Sequence, residues 1–379
     1  PVRALADEAA LIMGGTGDPD PNAAYLAQVY ADYIAPAIAP QTATPTALAT
    51  PEQGYPLYGS LTFNASVAQG VTDLQHAITA QPPNSDTVVF GFSQSATIIT
   101  DYLDDIADGS LQHPPAPTQV RFVLAGDPNN PDGGLFERFD GLYYPGYNET
   151  YNGATPDLAY PTDIYTLQYD GYGDFPQYPL DLLADLNAAL GADQDHLGSP
   201  PTYESLTPAQ IATAIVEPVS PQASGDTTYY LILTQNLPLL EPLAHAGTPQ
   251  WLLDLIQPDL RVLIDLGYAN LGGADTDYAN LPTPASLLEL INPITVTADL
   301  TKGALQGATA ALIDLGALPP TDTPHTDPYT PSPDPGLSIT LGQPSTTALS
   351  AITTTVGSLL EDLHIPDLTP TPAIAPDTL

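Results

Sequence analysis

The 379-residue chain contains no cysteine, which excludes disulfide staples and thiol chemistry and leaves its redox compartment unreadable. It has only 5 Lys and Arg against 44 Asp and Glu, for a formal net charge of −39. Such a field repels phosphate polymers, so no nucleic-acid partner is expected. No apolar run is long enough to cross a bilayer, and no transmembrane segment is expected. The chain starts at Pro1 with no basic stretch leading into an apolar one, and it reads as a processed, soluble form. An apolar share of 43% supports a globular core, sized for one large domain with appendages or for two domains.

The most informative stretch is 86–96, Asp-Thr-Val-Val-Phe-Gly-Phe-Ser-Gln-Ser-Ala, where a β-branched apolar run breaks at Gly91-Phe92-Ser93-Gln94-Ser95 and continues with helical spacing. A strand that enters a helix through so sharp a turn strains the serine backbone and needs small neighbours, here Gly91 and Ser95. Ser93 is therefore the candidate nucleophile, and the Gln94 amide faces an oxygen that becomes negative during attack. A helix N-cap serine after a buried strand is the plainer alternative.

Around this elbow, strands are predicted at 9–14, 46–50, 119–125 and 163–168, and helices at 22–38, 64–80, 95–107 and 180–190. The alternation predicts an α/β fold with a central, mostly parallel sheet flanked by helices, whose ligands bind beyond the carboxyl ends of the strands. The loop Gly14-Gly15-Thr16-Gly17-Asp18 and the elbow both lie at such ends. Thr16 is thus the candidate second oxyanion donor beside Gln94. A phosphate cradle is disfavoured there, because no Lys follows and the net charge opposes it. The main domain is read as 1–240, followed by a helical cap or flanking extension over 241–318 with helices at 251–256, 260–266, 286–291 and 297–315. A proline-rich tail occupies 319–379, with spacing for one more short helix over 347–363.

A serine of ordinary pKa needs a base, and the base needs an acid to hold its tautomer. In elbow hydrolases the chain order is Ser, then Asp or Glu, then His, which removes His76 and His113; His325 and His364 fall in or beyond the proline-rich tail, which leaves His196 and His245. His196 is preferred because it follows a helix in what reads as a polar loop, Asp193-Gln194-Asp195-His196-Leu197-Gly198. The acid should follow the strand at 163–168, where Asp170 and Asp174 both qualify; Asp174 is preferred, with Asp170 bracing the turn. Asp18/Asp20 and Asp275/Asp277 lack the spacing of a calcium loop, so no metal and no cofactor is expected. Tyrosines are numerous, 21 against 7 Phe. Tyr143, Tyr144, Tyr147, Tyr151 and Tyr160 either line an amphipathic acyl or glycan groove or order a long loop.

Taken in order, Gly14-Gly15-Thr16-Gly17, Gly91-Phe92-Ser93-Gln94-Ser95, the run Ala125-Gly126-Asp127-Pro128-Asn129-Asn130-Pro131-Asp132-Gly133-Gly134, Tyr169-Asp170-Gly171-Tyr172-Gly173-Asp174-Phe175-Pro176 and Tyr229-Tyr230-Leu231-Ile232-Leu233-Thr234 resemble the PE-PPE domain of mycobacterial proteins. That domain is a serine α/β-hydrolase similar to cutinases. The resemblance implies a secreted or cell-envelope esterase acting on fatty acyl esters, with acyltransfer between trehalose glycolipids as an alternative. It carries the nucleophile to Ser93, the oxyanion loop to Thr16, the acid to Asp174 or Asp170 and the histidine to His196. The implied partner is an acyl ester or glycolipid, with peripheral contact to a lipid envelope. A non-catalytic envelope protein that retained the fold is the reading from another class. Cutinases usually brace the acid loop with a disulfide, which this chain lacks.

Overall fold

Continuous apolar, β-branched runs make strands that are buried on both faces, and the computed structural model arranges them as one sheet with helices on either side. The structure describes residues 8–319 apart from 83–84, 199–201, 235, 269–277 and 288–290. The strands are β1 (Glu8–Ile12), β2 (Ala43–Ala47), β3 (Thr87–Phe92) and β4 (Val120–Ala125), then the separate hairpin β5 (Tyr143–Tyr144) and β6 (Glu149–Thr150), then β7 (Thr162–Leu167), β8 (Ile215–Val216) and β9 (Thr227–Ile232). The sheet order is β2-β1-β3-β4-β7-β9-β8, parallel throughout except for β8 against β9. This is the expected α/β-hydrolase architecture.

The helices are α1 (Ala23–Val29) and α2 (Ala35–Ile38), joined by a π-helical turn at Tyr30–Ile34, then α3 (Phe63–Thr79), α4 (Gln94–Ala107), the short α5 (Leu135–Arg138) and α6 (Leu182–Gly191). After them come the one-turn α7 (Thr202–Ser205) and α8 (Pro208–Ile211), then α9 (Glu241–His245), α10 (Gln250–Asp265) and α11 (Pro293–Asp314). On one face of the sheet, Leu11, Val89 and Phe122 pack with Val67 and Leu74 of α3 and with Ile98 and Tyr102 of α4. On the other, Ile12, Val88 and Phe90 meet Val29, Tyr33 and Ile34. Helices α3 and α4 approach closely because Gly70 has no side chain; a Cβ there would lie 2.2 Å from Ile98 Cδ1.

Several boundaries differ from expectation. Strand β2 lies three residues earlier than predicted, because its register is set by pairing with β1, Glu8 against Ala43 through Ile12 against Ala47, and not by local propensity. Its Pro45 is tolerated because β2 is an edge strand. The predicted break between 256 and 260 does not occur: α10 runs through Pro258. Proline removes one hydrogen bond there, but burial of Leu253, Gln257, Pro258, Arg261 and Val262 holds the helix together. Of the helix predicted at 286–291, residues 286–287 are irregular and 288–290 lie outside the described residues, as do 320–379 of the proline-rich tail. Helices α10 and α11 pack along Gly303 and Gly307, and a Cβ on Gly307 would lie 2.1 Å from the Leu255 carbonyl oxygen.

Candidate active site

Strand β3 ends in the elbow. Ser93 has φ 57° and ψ −118°, a left-handed conformation that a side-chain-bearing residue rarely adopts. Gly91 makes room for it, since a Cβ there would lie 2.5 Å from the Ser95 carbonyl oxygen. The Ser95 hydroxyl accepts from the Phe92 N–H at 2.8 Å and ties the turn to the start of α4.

Residue 196 is far from Ser93 in sequence but adjacent in space. The Ser93 hydroxyl and His196 Nε2 are 2.7 Å apart, and His196 Nδ1 is 2.9 Å from Asp170 Oδ2. An ionised carboxylate only accepts, so Nδ1 carries the proton donated to Asp170 and Nε2 is left to accept from the serine. His196 is 1% exposed and closes a π-helical turn, Ala192–His196, that continues α6. The expectation of a polar loop is therefore corrected. This π turn continues α6 from Gly191 to His196 and sets the imidazole against the rings of Tyr172 (centroids 4.6 Å) and Phe92 (5.1 Å).

The preference for Asp174 as the partner of His196 is also corrected in its geometry. Asp174 Oδ2 accepts from the Tyr169 N–H at 2.7 Å, and burial pushes its carboxyl up to about 7. Asp170, 0% exposed, accepts from His196, from the Tyr203 hydroxyl (2.8 Å) and, at Oδ1, from the Tyr172 N–H (2.9 Å). The cause is a tight turn: Tyr169 has φ 68°, and this left-handed residue turns Asp170 inward and Asp174 back under the loop. Tyr203, which sequence reasoning missed, relays Asp170 to the sheet, since its hydroxyl also accepts from the Leu167 N–H at 2.8 Å. Nothing in the spacing around residue 203 marks it. His245, the other candidate base, is exposed at the end of α9.

The loop 14–18 leans on the elbow, and a Cβ on Gly15 would lie 2.8 Å from the Phe92 ring. The Gln94 side chain fastens the two together: its Nε2 donates to Thr16 Oγ1 (3.0 Å) and to the Gln53 carbonyl (3.1 Å), while its Oε1 accepts from the Ser66 hydroxyl (2.6 Å). The backbone N–H groups of Gln94 and Thr16 have no hydrogen-bond partner among the described residues. Free N–H groups at the start of α4 and in the facing loop suit a developing oxyanion. Among the described residues no group of three metal-binding side chains occurs; Asp18 and Asp20 are turn residues, and Asp275 and Asp277 lie outside that set.

Behind the same loop, Glu52 is 1% exposed with φ 45°; its carbonyl accepts from the Gly17 N–H and its carboxyl from the Thr50 hydroxyl. Burial raises this carboxyl to about 8 and that of Asp127 to about 6. A folded-state pKa above the unfolded one means stability that is complete below the unfolded pKa and is lost as pH rises through the folded value. The unfolding free energy from urea titration is therefore expected to fall from pH 5 to about pH 8 and then level off, with a slope of about 1.4 kcal/mol per pH unit for each carboxyl between its unfolded and folded pKa, so that Asp127 drops out near pH 6 and Glu52 near pH 8. The charge of −39 acts in the same direction. A midpoint that rises over this range would refute the buried, neutral carboxyls.

Comparison with known proteins agrees with this architecture. The PE-PPE domain profile matches residues 40–269, more than half of the chain and through α10. PE family protein PE3 of Mycobacterium tuberculosis is 46% identical over 355 residues, covering 92% of this chain and 73% of the relative. Esterase PE16 of the same organism is 46% identical over 309 residues, covering 80% of this chain and 56% of the relative. SL1278 acyltransferase Chp1, also from that organism, is 32% identical over 276 residues, covering 69% and 64%. The chain thus spans between about half and three quarters of the length of these relatives. With its sheet order, elbow and family match together, this chain belongs to the PE-PPE domain family.

Proposed function

We propose that the chain is a serine carboxylic ester hydrolase acting on fatty acyl esters through an acyl-enzyme. The observation that carries this reading is the unbroken hydrogen-bond series from Ser93 through His196 to Asp170, at 2.7 and 2.9 Å, on a left-handed elbow. His196 Nε2 takes the Ser93 proton as Oγ attacks the acyl carbonyl. The Gln94 and Thr16 N–H groups hold the tetrahedral oxyanion, and His196 returns the proton to the leaving alcohol. Water, activated by the same nitrogen, then releases the acid. Asp170 keeps the imidazole in the required tautomer and stabilises the imidazolium without itself taking the proton. This reading assigns the acid role to Asp170 and gives Asp174 a bracing one.

A second reading, acyl transfer, has support in the similarity to a relative named as an acyltransferase. It differs only in which hydroxyl enters the second half-reaction. Family membership supports a secreted or envelope-associated protein; no helix among the described residues is long and apolar enough to cross a membrane.

A fluorophosphonate probe tests the core of the proposal. The intact chain is expected to form a covalent adduct on Ser93, mapped by peptide mass spectrometry, and Ser93→Ala is expected to form none. A folded chain that stays unlabelled would favour a silent protein retaining the fold.

A further inference from the structure

The turn that carries Asp170 is gripped on its far side by the loop that follows β4. The carbonyls of Tyr172, Gly173 and Phe175 accept in succession from the Leu135 N–H (2.8 Å), Asn130 Nδ2 (3.1 Å) and Arg138 Nε (2.9 Å). The Phe175 N–H donates back to the Gly133 carbonyl at 2.6 Å. Gly173 lies directly against the acid: a Cβ built there would be 3.1 Å from Asp170 Oδ2, the oxygen that faces His196 Nδ1. A shift of the backbone at 173–175 is therefore passed straight to that oxygen.

Arg138 is held in turn by a segment far along the chain. Residues 278–287 form an irregular strap, and its buried Thr283 accepts from Arg138 Nη1 at both its carbonyl and its hydroxyl. The same hydroxyl donates to Asp132 Oδ1 (2.9 Å), whose carboxylate lies 3.7 Å from Arg138 Nη2. The strap is tied down along its length. The N–H groups of Ala279, Thr283, Ala285 and Ser286 donate to the carbonyls of Pro218 (2.9 Å), Pro131 (3.1 Å), Arg138 (2.8 Å) and Gln177 (2.8 Å). With its amides spent on fixed carbonyls, a segment with no helix or strand of its own is still ordered. It lies beyond residue 269, the end of the family match, and outside the 1–240 main domain expected from the sequence. A chain without cysteine can brace a turn only by such non-covalent ties.

A buried guanidinium has five donors in a rigid plane, so each acceptor it meets fixes the direction of the others. The acceptors on Thr283 thus set the direction in which Arg138 Nε meets Phe175. We propose that Thr283 is a positioning residue for the ester chemistry: through Arg138 it fixes the 172–175 side of the turn and so the approach of Asp170 to His196. The inference rests on the reading of Ser93, His196 and Asp170 as the reacting groups. Thr283 itself touches none of them.

The test compares Thr283→Val, which keeps the side-chain shape and removes the hydroxyl, with Thr283→Ser, which keeps the hydroxyl. Hydrogen exchange read by mass spectrometry on the intact chain is expected to be about tenfold faster for the amides of 169–176 in Thr283→Val, with those of 87–107 unchanged. The kcat for p-nitrophenyl ester hydrolysis, counted per fluorophosphonate-titrated serine, is expected to fall about fivefold with KM little changed. Thr283→Ser restores both. Because unfolded molecules are not titrated, a purely structural role would leave this kcat unchanged. Unchanged exchange at 169–176 would overturn the proposal, as would faster exchange with an unchanged kcat. Faster exchange at 169–176 in a chain that is never labelled would refute the esterase and leave the brace standing. If Thr283→Val does not fold, Arg138→Lys, which keeps the charge and loses the Nε donor to Phe175, is read by the same two measurements.

Discussion

Asp170→Asn is expected to lower kcat/KM for p-nitrophenyl ester hydrolysis by about 10⁴-fold, and Asp174→Asn by less than about tenfold. The two carboxylates are four residues apart on one loop, yet only Asp170 Oδ2 reaches His196 Nδ1. An asparagine at 170 can present its amide N–H to the imidazole, which moves the ring proton to Nε2 and removes the acceptor that Ser93 needs. At 174 the amide oxygen of asparagine still accepts from the Tyr169 N–H, so the turn survives. Steady-state rates and the second-order rate of fluorophosphonate labelling should fall together in the first variant. Equal losses in both variants would refute the assignment of the acid to Asp170.

The second large effect is expected from outside the strand-and-elbow region. Arg261 of α10 is 0% exposed; its Nη1 donates to the Tyr169 hydroxyl (3.1 Å) and to Gln168 Oε1 (3.3 Å), and its Nη2 to the Thr234 carbonyl (3.0 Å). The Tyr169 hydroxyl in turn donates to Asp265 at 2.6 Å. Tyr169 is the left-handed residue immediately before Asp170, so α10 grips the turn that aims the acid. Arg261→Met keeps the apolar stem and removes the donors, which is expected to cost about 3 kcal/mol of unfolding free energy. Because the loosened turn no longer fixes Asp170, kcat is expected to fall about tenfold, with KM little changed. Urea unfolding and steady-state kinetics on the same preparation check both. A stability loss with unchanged kcat would reduce α10 to a structural support, and no stability loss would contradict the burial of the cation.

Much of this molecule was readable along the chain because the signals are local. The run from Thr87 to Ala107 contains strand, strained turn and helix within 21 residues, so Ser93 and Gln94 follow from residue size and period alone. The pairing of Ser93 with His196 was legible only through chain order. Contact between them depends on β4 lying between β3 and β7, and on a π turn that no residue pattern announced. Pro258 misled for the opposite reason: its local effect is real, but burial along α10 outweighs it.

The sequence by itself pointed to the fold class, the candidate nucleophile, the candidate base and the chemistry they would suit, because each is signalled by neighbours a few residues away. Only the tertiary structure decided which aspartate meets the histidine, and that Tyr203 and Arg261 hold that aspartate in place. Those outcomes depend on side-chain direction across contacts tens of residues apart, and a backbone turn of one residue reverses them.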